Sequence, residues 1–184
     1  HHAHAWEARL LRRASAVSLV NEPMRRWYAE RHPRRADRMF VLENGYDAGL
    51  LSDTIRTPEP DRPLRFGYVG TLTDQYDNGA FWAGWELALR EPELAGATAH
   101  VYGHLGFFGG VAPRHGLPDA SVGGVTYHGP VAKADLGEVY RELDALLFLV
   151  PDSPYVTSGK TYEYMATGKP LVADGTSANA HTFE

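Results

Sequence analysis

Ser158, Gly159, Lys160 and Thr161 are the residues whose types and spacing most invite chemistry. They open a helical pattern directly after a loop punctuated by Pro151 and Pro154. The first N–H groups of a helix lack intrahelical partners and favour an anion. Ser158 suits an N-cap and Thr161 the first turn. Lys160 at that end opposes the helix dipole, and a cation placed where it is unfavourable is a reason to look for an anion beside it. Gly159-Lys160-Thr161 also matches the end of a phosphate-binding P-loop. That motif needs glycine five residues before Gly159, where Pro154 stands, so the P-loop reading fails. Read alone, Glu163 is an acid in the early turns of the helix, where the dipole favours it. Asp74 and Asp77 read as a solvated loop rather than a metal site, and His104 and His115 have no evident partner.

The elements that position these residues form a βαβ unit. The apolar run Ala145–Val150 is short enough for a strand buried on both faces. The helix that follows stops at Gly168 and Lys169-Pro170, and a second apolar strand, Pro170–Ala173, begins at once. Strand, loop, helix and strand within about 30 residues implies parallel strands joined by a crossover. Ligands of such sheets sit beyond the carboxyl ends of the strands, so the Val150–Lys160 loop is the expected site.

Upstream, Trp6–Ala14 has helical spacing and Ser15–Val20 suits a short strand. Asn21 or Glu22 caps a helix with Pro23 at its first position and Met24, Trp27 and Tyr28 on its apolar face. Met39–Glu43 is a strand, and Asn44-Gly45 is a turn. Asp47–Pro63, rich in proline and charge, reads as a linker with Leu50, Leu51 and Ile55 pinned to a domain surface. A second series of elements follows. Leu64–Val69, Thr98–Tyr102 and Val125–His128 are strands ending at glycine, and Gly79–Arg90 is a helix with Phe81, Trp82, Trp85 and Leu89 facing a core. Gly103–Gly124 is a long loop. Asp135, with Glu138 three residues on, forms a capping box for a helix packing Leu136, Val139, Tyr140 and Leu143 inward. The tail, Gly175–Glu184, carries no clear element. This alternation predicts an α/β fold: a Rossmann-like open parallel sheet with helices on both faces.

The chain has 184 residues, 43% hydrophobic and 22% charged, ordinary for a globular protein with one domain or one plus part of another. A net charge of −5 argues against a nucleic-acid surface. The basic cluster Arg25–Arg38, broken by Glu30 and Asp37, reads as a solvated helix face. The chain contains no cysteine, which excludes disulfides and thiolate metal sites and suits a cytoplasmic protein. No apolar run reaches the roughly 20 residues of a membrane span, and no signal peptide opens the sequence. His1, His2 and His4 read as a tag remnant or ragged end.

Four segments, in order, carry a family resemblance: Val41–Asp47 (VLENGYD), Phe66–Leu72 (FGYVGTL), Val125–Val131 (VTYHGPV) and Ser158–Ala173 (SGKTYEYMATGKPLVA). Together they resemble the family-four glycosyltransferases, enzymes of the two-Rossmann-domain GT-B fold, over Trp6–Ala173. The resemblance implies that residues 1–46 end an N-terminal acceptor-side domain. Residues 47–63 would be the linker, and 64–184 a truncated C-terminal domain binding a nucleotide sugar. It further implies that Glu163 accepts hydrogen bonds from both ribose hydroxyls, a task that suits a carboxylate. The donor-binding set it implies is Gly70, Thr71, His128, Val131, Tyr155, Thr157, Ser158, Gly159, Lys160, Thr161 and Glu163. Gly70 would admit close approach of a phosphate or sugar. His128 would stack on the base, or is an ordinary strand-end histidine. Ser158–Lys160 would meet the diphosphate. The sequence departs from the family at Tyr155, where many members place a glutamate that contacts the transferred sugar. It departs again after Gly70, where many members place an arginine and, a few residues later, a lysine for the diphosphate. Here Gly70-Thr71-Leu72 is followed by Asp74 and Asp77 with no lysine in that loop, and Lys160 would supply the missing charge. The implied activity is transfer of a sugar to an acceptor hydroxyl (glycan, lipid or small molecule) with retention, with neither metal nor cofactor and on no membrane span, though peripheral membrane attachment fits. The alternatives are a nucleotide- or sugar-binding module without transferase activity and a GT-B nucleotide-sugar epimerase.

Overall fold

A computed structural model describes residues 2–51, 62–72, 78–106, 117, 122–150, 153 and 155–173. The expectations for residues 52–61 of the linker, Asp74, Asp77, His115, Pro151, Pro154, most of the Gly103–Gly124 loop and the tail lie outside these residues.

Two parallel sheets form. In the smaller, β1 (Val17–Leu19) pairs with β2 (Met39–Val41). They are flanked by helix α1 (His2–Arg13), which takes in His2 and His4, and by α2 (Glu22–Arg31). Asn21 caps α2 by accepting from the Met24 N–H at 2.8 Å. The apolar face expected on α2 is shallow, because none of its residues is buried. Met24 and Tyr28 are half-buried against Leu11, Leu19 and Met39, while Trp27 lies under the Arg31 guanidinium at 3.6 Å.

The larger sheet contains β3 (Arg65–Val69), β4 (Thr98–Tyr102), β5 (Val125–Gly129), β6 (Ala145–Phe148) and β7 (Leu171–Ala173), in the order β5-β4-β3-β6-β7. Every pairing is parallel. Side chains alternate between two cores, as the period of a strand requires. Phe66, Tyr68, Ala99, Val101 and Leu147 pack with Trp82 and Trp85 of α3 (Asn78–Ala88). Val69, Tyr102, Leu146 and Phe148 pack with Tyr140 of α4 (Leu136–Glu142) and Tyr164 of α5 (Gly159–Ala166). Gly67 is required at the centre of β3, since a Cβ there would overlap the Leu143 side chain. This is the α/β Rossmann-like architecture expected.

The capping box at Asp135 does not form. Lys133–Asp135 make a 3-10 turn, and Asp135 sits at φ −94, ψ −4, too helical for its carboxylate to reach back to the first N–H groups. A different carboxylate ties the residues just before β3 to the sheet. Asp144, buried at the start of β6, accepts both guanidinium nitrogens of Arg62 at 2.7 and 2.8 Å and the Arg65 N–H at 2.8 Å. Leu51, expected to be pinned to a domain surface, is buried in the core beneath α4 and α5.

Candidate functional site

Strand order reverses at β3. The chain winds outward through β4 and β5, then returns to place β6 on the other side of β3. Loops leaving β3 and β6 therefore diverge at their carboxyl ends and open a crevice, the usual ligand position in such sheets. Three adjoining cavities occupy it. One of about 210 Å³ lies between Gly70-Thr71 after β3 and Leu149-Val150 after β6, with Ser158 and Lys160 on its wall. A second, about 270 Å³, shares Gly70, Thr71 and Lys160 and reaches Gly103, Val131 and Lys133. A third, about 540 Å³, shares Lys133 and Leu136 with the second and is lined by Tyr46, Asp47 and Glu163. The set joins the Lys160 region to the Glu163 region around one helix end. A separate cavity of about 380 Å³, lined wholly by apolar residues such as Phe81, Trp85 and Val172, lies against α3 and shares no lining residue with the cleft.

Ser158 is the N-cap of α5, accepting from the Lys160 N–H at 3.3 Å. The Thr161 N–H donates to the Ser158 carbonyl at 3.0 Å, inside the first turn. The Thr161 side chain is fully buried, and its Oγ1 has no partner among the described residues. Gly159, the first helical residue, keeps its N–H outside the intrahelical ladder. α5 is fixed to the sheet by Tyr164, whose hydroxyl accepts from the Val69 N–H at 2.8 Å and donates to the Val69 carbonyl at 3.2 Å. Burial holds the Tyr164 hydroxyl well above its ordinary pKa, so it remains a donor.

Glu163 is three-quarters buried, with 22% of its side chain exposed. Its Oε1 accepts from the Tyr140 hydroxyl at 2.6 Å, and its carboxylate pairs with Lys160 Nζ at 3.2 Å. Burial, with help from Tyr164 and Glu163, pushes the Tyr140 pKa far up. Tyr140 therefore donates to Glu163 at any ordinary pH and fixes the carboxylate's orientation. The sequence marks Tyr140 only as an inward-facing helical position, and its hydroxyl carries no spacing signal.

The loop after β3 is held by backbone. Gly70 N–H donates to the Tyr102 carbonyl at 2.8 Å, and Leu72 N–H to the His104 carbonyl at 2.9 Å. Gly103 sits at φ +129, and a Cβ there would fall 1.9 Å from the Gly70 carbonyl oxygen. Gly103 is thus the stricter glycine. At Gly70 a Cβ would meet the Tyr68 hydroxyl at 3.3 Å and Lys160 Cε at 3.4 Å, so the missing side chain makes room for Lys160.

His128 lines none of these cavities. A register shift in the β4–β5 pairing sets Tyr102 opposite Gly129 rather than His128. The His128 ring stacks on Tyr102 with centroids 4.3 Å apart, and its Nε2 is 2.9 Å from His100 Nδ1. Burial lowers both histidine pKa values, that of His100 to about 4, with Arg65 adding to the effect on each. Tyr155 is half-exposed and packs near Trp27 at 6.1 Å. Among the described residues no group of three or more His, Cys, Asp or Glu could hold a metal ion, and no helix is long and apolar enough to cross a membrane.

The fold, a Rossmann-like parallel sheet with a crevice at its reversal point, matches that of GT-B structures. Solved structures agree. The chain is similar to sucrose-phosphate synthase from Thermosynechococcus elongatus, with TM-score 0.62 and 18% identity, covering 96% of this chain and 44% of that one. It is similar to a point mutant of S. aureus TarM in complex with Fondaparinux, alpha-GlcNAc-glycerol and UDP, with TM-score 0.58 and 12% identity over 95% and 33% of the two chains. It is also similar to the apo form of the lipopolysaccharide outer core galactosyltransferase WaaB, with TM-score 0.54 and 18% identity over 89% and 44%. The chain thus spans less than half the length of each. No family model and no curated protein matches it.

Proposed function

We propose that this chain is the nucleotide-sugar-binding part of a glycosyltransferase. The observation that carries the reading is Glu163: a carboxylate oriented by Tyr140, lining a cleft at the sheet's reversal point and joined through Lys160 to a helix N-terminus. The ribose hydroxyls donate to Glu163, and the diphosphate lies toward Gly70, Thr71, Gly159 and Lys160. On binding, Lys160 Nζ exchanges part of its contact with Glu163 for phosphate oxygens. The base lies toward Val131, which lines the same cleft. In the reaction, the bond between the anomeric carbon and the diphosphate oxygen breaks, and its electron pair leaves with the diphosphate. A bond forms to the acceptor oxygen, whose proton passes to the departing diphosphate. Positive charge at the Lys160 end favours that departure. Retention, independence of metal, and the division into residues 1–46, 47–63 and 64–184 belong to the same proposal and rest on the family resemblance.

A second reading, a nucleotide-binding module without turnover, is favoured by the Lys160–Glu163 pair: Lys160, a cation lining the cleft, is already engaged by Glu163. Calorimetric titration with UDP, GDP, ADP and dTDP tests what both readings share. At least one binds the parent chain, and Glu163→Ala weakens it about 10- to 100-fold, the loss of two hydrogen bonds to a charged acceptor. Donor-sugar turnover then separates the two readings.

A further inference from the structure

Residues that follow the strands of the small sheet reach the loop before α5 at Thr157. Asn21 follows β1 and Asn44 follows β2, so both lie beyond the carboxyl ends of their strands. Both reach Thr157, the residue before the N-cap of α5. Asn21 Nδ2 donates to Thr157 Oγ1 at 2.8 Å, and Asn44 Nδ2 donates to the Thr157 carbonyl at 3.1 Å. The Asn21 amide works at both ends, since its Oδ1 also accepts from the Met24 N–H at 2.8 Å. Its direction is therefore set by α2, and its remaining N–H group is aimed rather than free to rotate. Beside this contact Trp27 approaches Tyr155. A loop that carries a ligand-binding helix end is usually among the less stable parts of a fold. Here its last residue before the cap is pinned by two amides from chain more than a hundred residues away.

We infer that Asn21 and Asn44 are positioning residues for the diphosphate: through Thr157 they fix the start of α5, and so the directions of the Gly159 N–H and the Lys160 side chain. The inference rests on the nucleotide reading of the cleft. It adds that residues outside the cleft, on the N-terminal segment, set affinity for one end of the ligand only. On the same reading the ribose is held by Glu163, one turn further along α5, and the base lies toward Val131. Donor binding and the placement of the N-terminal segment are then linked, because whatever shifts β1 and β2 shifts the helix end.

The test compares a nucleoside diphosphate with its own nucleoside. The tightest binder among UDP, GDP, ADP and dTDP is titrated into the parent chain, Asn44→Ala and Asn21→Ser, and the matching nucleoside is titrated in parallel. Neither substitution adds charge near the phosphates, and the Asn21→Ser change keeps a side-chain oxygen that caps α2. Each variant is expected to bind the diphosphate about three- to tenfold more weakly, the size of one lost hydrogen bond, and the nucleoside within about twofold of the parent. Equal losses for both ligands would mean that the asparagines only support the fold, and unchanged diphosphate affinity in both variants would mean that they do not position the helix end; either result overturns the inference. A parent chain that binds none of the four diphosphates defeats the nucleotide reading itself and this inference with it. If Asn44→Ala does not fold, Asn21→Ser decides the matter.

Discussion

At the scale of single residues, Glu163 matters less as an isolated acid than as one member of a set with Tyr140 and Lys160. Tyr140→Phe keeps the buried ring and removes only the hydroxyl that orients Glu163. Its expected effect is a nucleoside diphosphate affinity about fivefold lower or more, measured by calorimetry on a folded variant. Glu163 was legible because a motif surrounds it. Tyr140 was not, because helical spacing reports which face a residue occupies and not where its hydroxyl ends. His128 stacks on Tyr102 beside a register shift that period-two reading cannot see. Its partner His100 supports a pH prediction. The folded-state pKa of His100 is about 4 against 6.5 for the free side chain, so the unfolded chain binds the proton more readily. Stability from this site is fully present above pH 6.5 and is lost as pH falls toward 4. The groups facing it are His128, Arg65 and Glu142, the last two paired at 3.2 Å. Thermal midpoints measured from pH 7 to 4 are expected to fall less steeply in His100→Gln than in the parent.

At the scale of elements, α5 is a short helix whose placement is fixed at each end and in the middle. Ser158 caps it, Tyr164 bonds both backbone groups of Val69, and the Thr167 hydroxyl donates to the Tyr164 carbonyl at 2.6 Å. Tyr164→Phe leaves a buried N–H and carbonyl of β3 without this partner and is expected to destabilise the fold by about 1–3 kcal/mol in urea unfolding. Ser158→Ala should remove about 1 kcal/mol. The β6 strand, α5 and β7 were readable because an apolar run, a cap and a proline stop stand close together. The capping box at Asp135 was a false signal: the right residue types at the right spacing, overridden by a 3-10 turn that turns the carboxylate away. Asp144 was unreadable, since its partner Arg62 is distant in sequence and only the paired β3 and β6 bring them together. Asp144→Ala is expected to cost about 2–4 kcal/mol, less than a wholly enclosed pair because Arg62 remains partly in solvent.

At the scale of the whole molecule, alternating strands and helices made a parallel α/β sheet legible, but not the order β5-β4-β3-β6-β7. That order depends on which strand edges meet after the chain has closed on itself. It creates the crevice between Gly70 and Val150, so the site's location follows from topology and its chemistry from α5. The same closure sets the carboxyl ends of β1 and β2 against Thr157, a contact that no local pattern announces. The account's central claim is that Glu163 holds a ribose in this cleft. It is tested most directly by titrating the tightest-binding ribonucleoside diphosphate and its 2′,3′-dideoxy form into the parent chain and Glu163→Ala. The parent is expected to prefer the ribose form by about tenfold or more, and the variant to bind both forms alike. A parent that does not distinguish the two, or a variant that keeps the parent's preference, would contradict the claim.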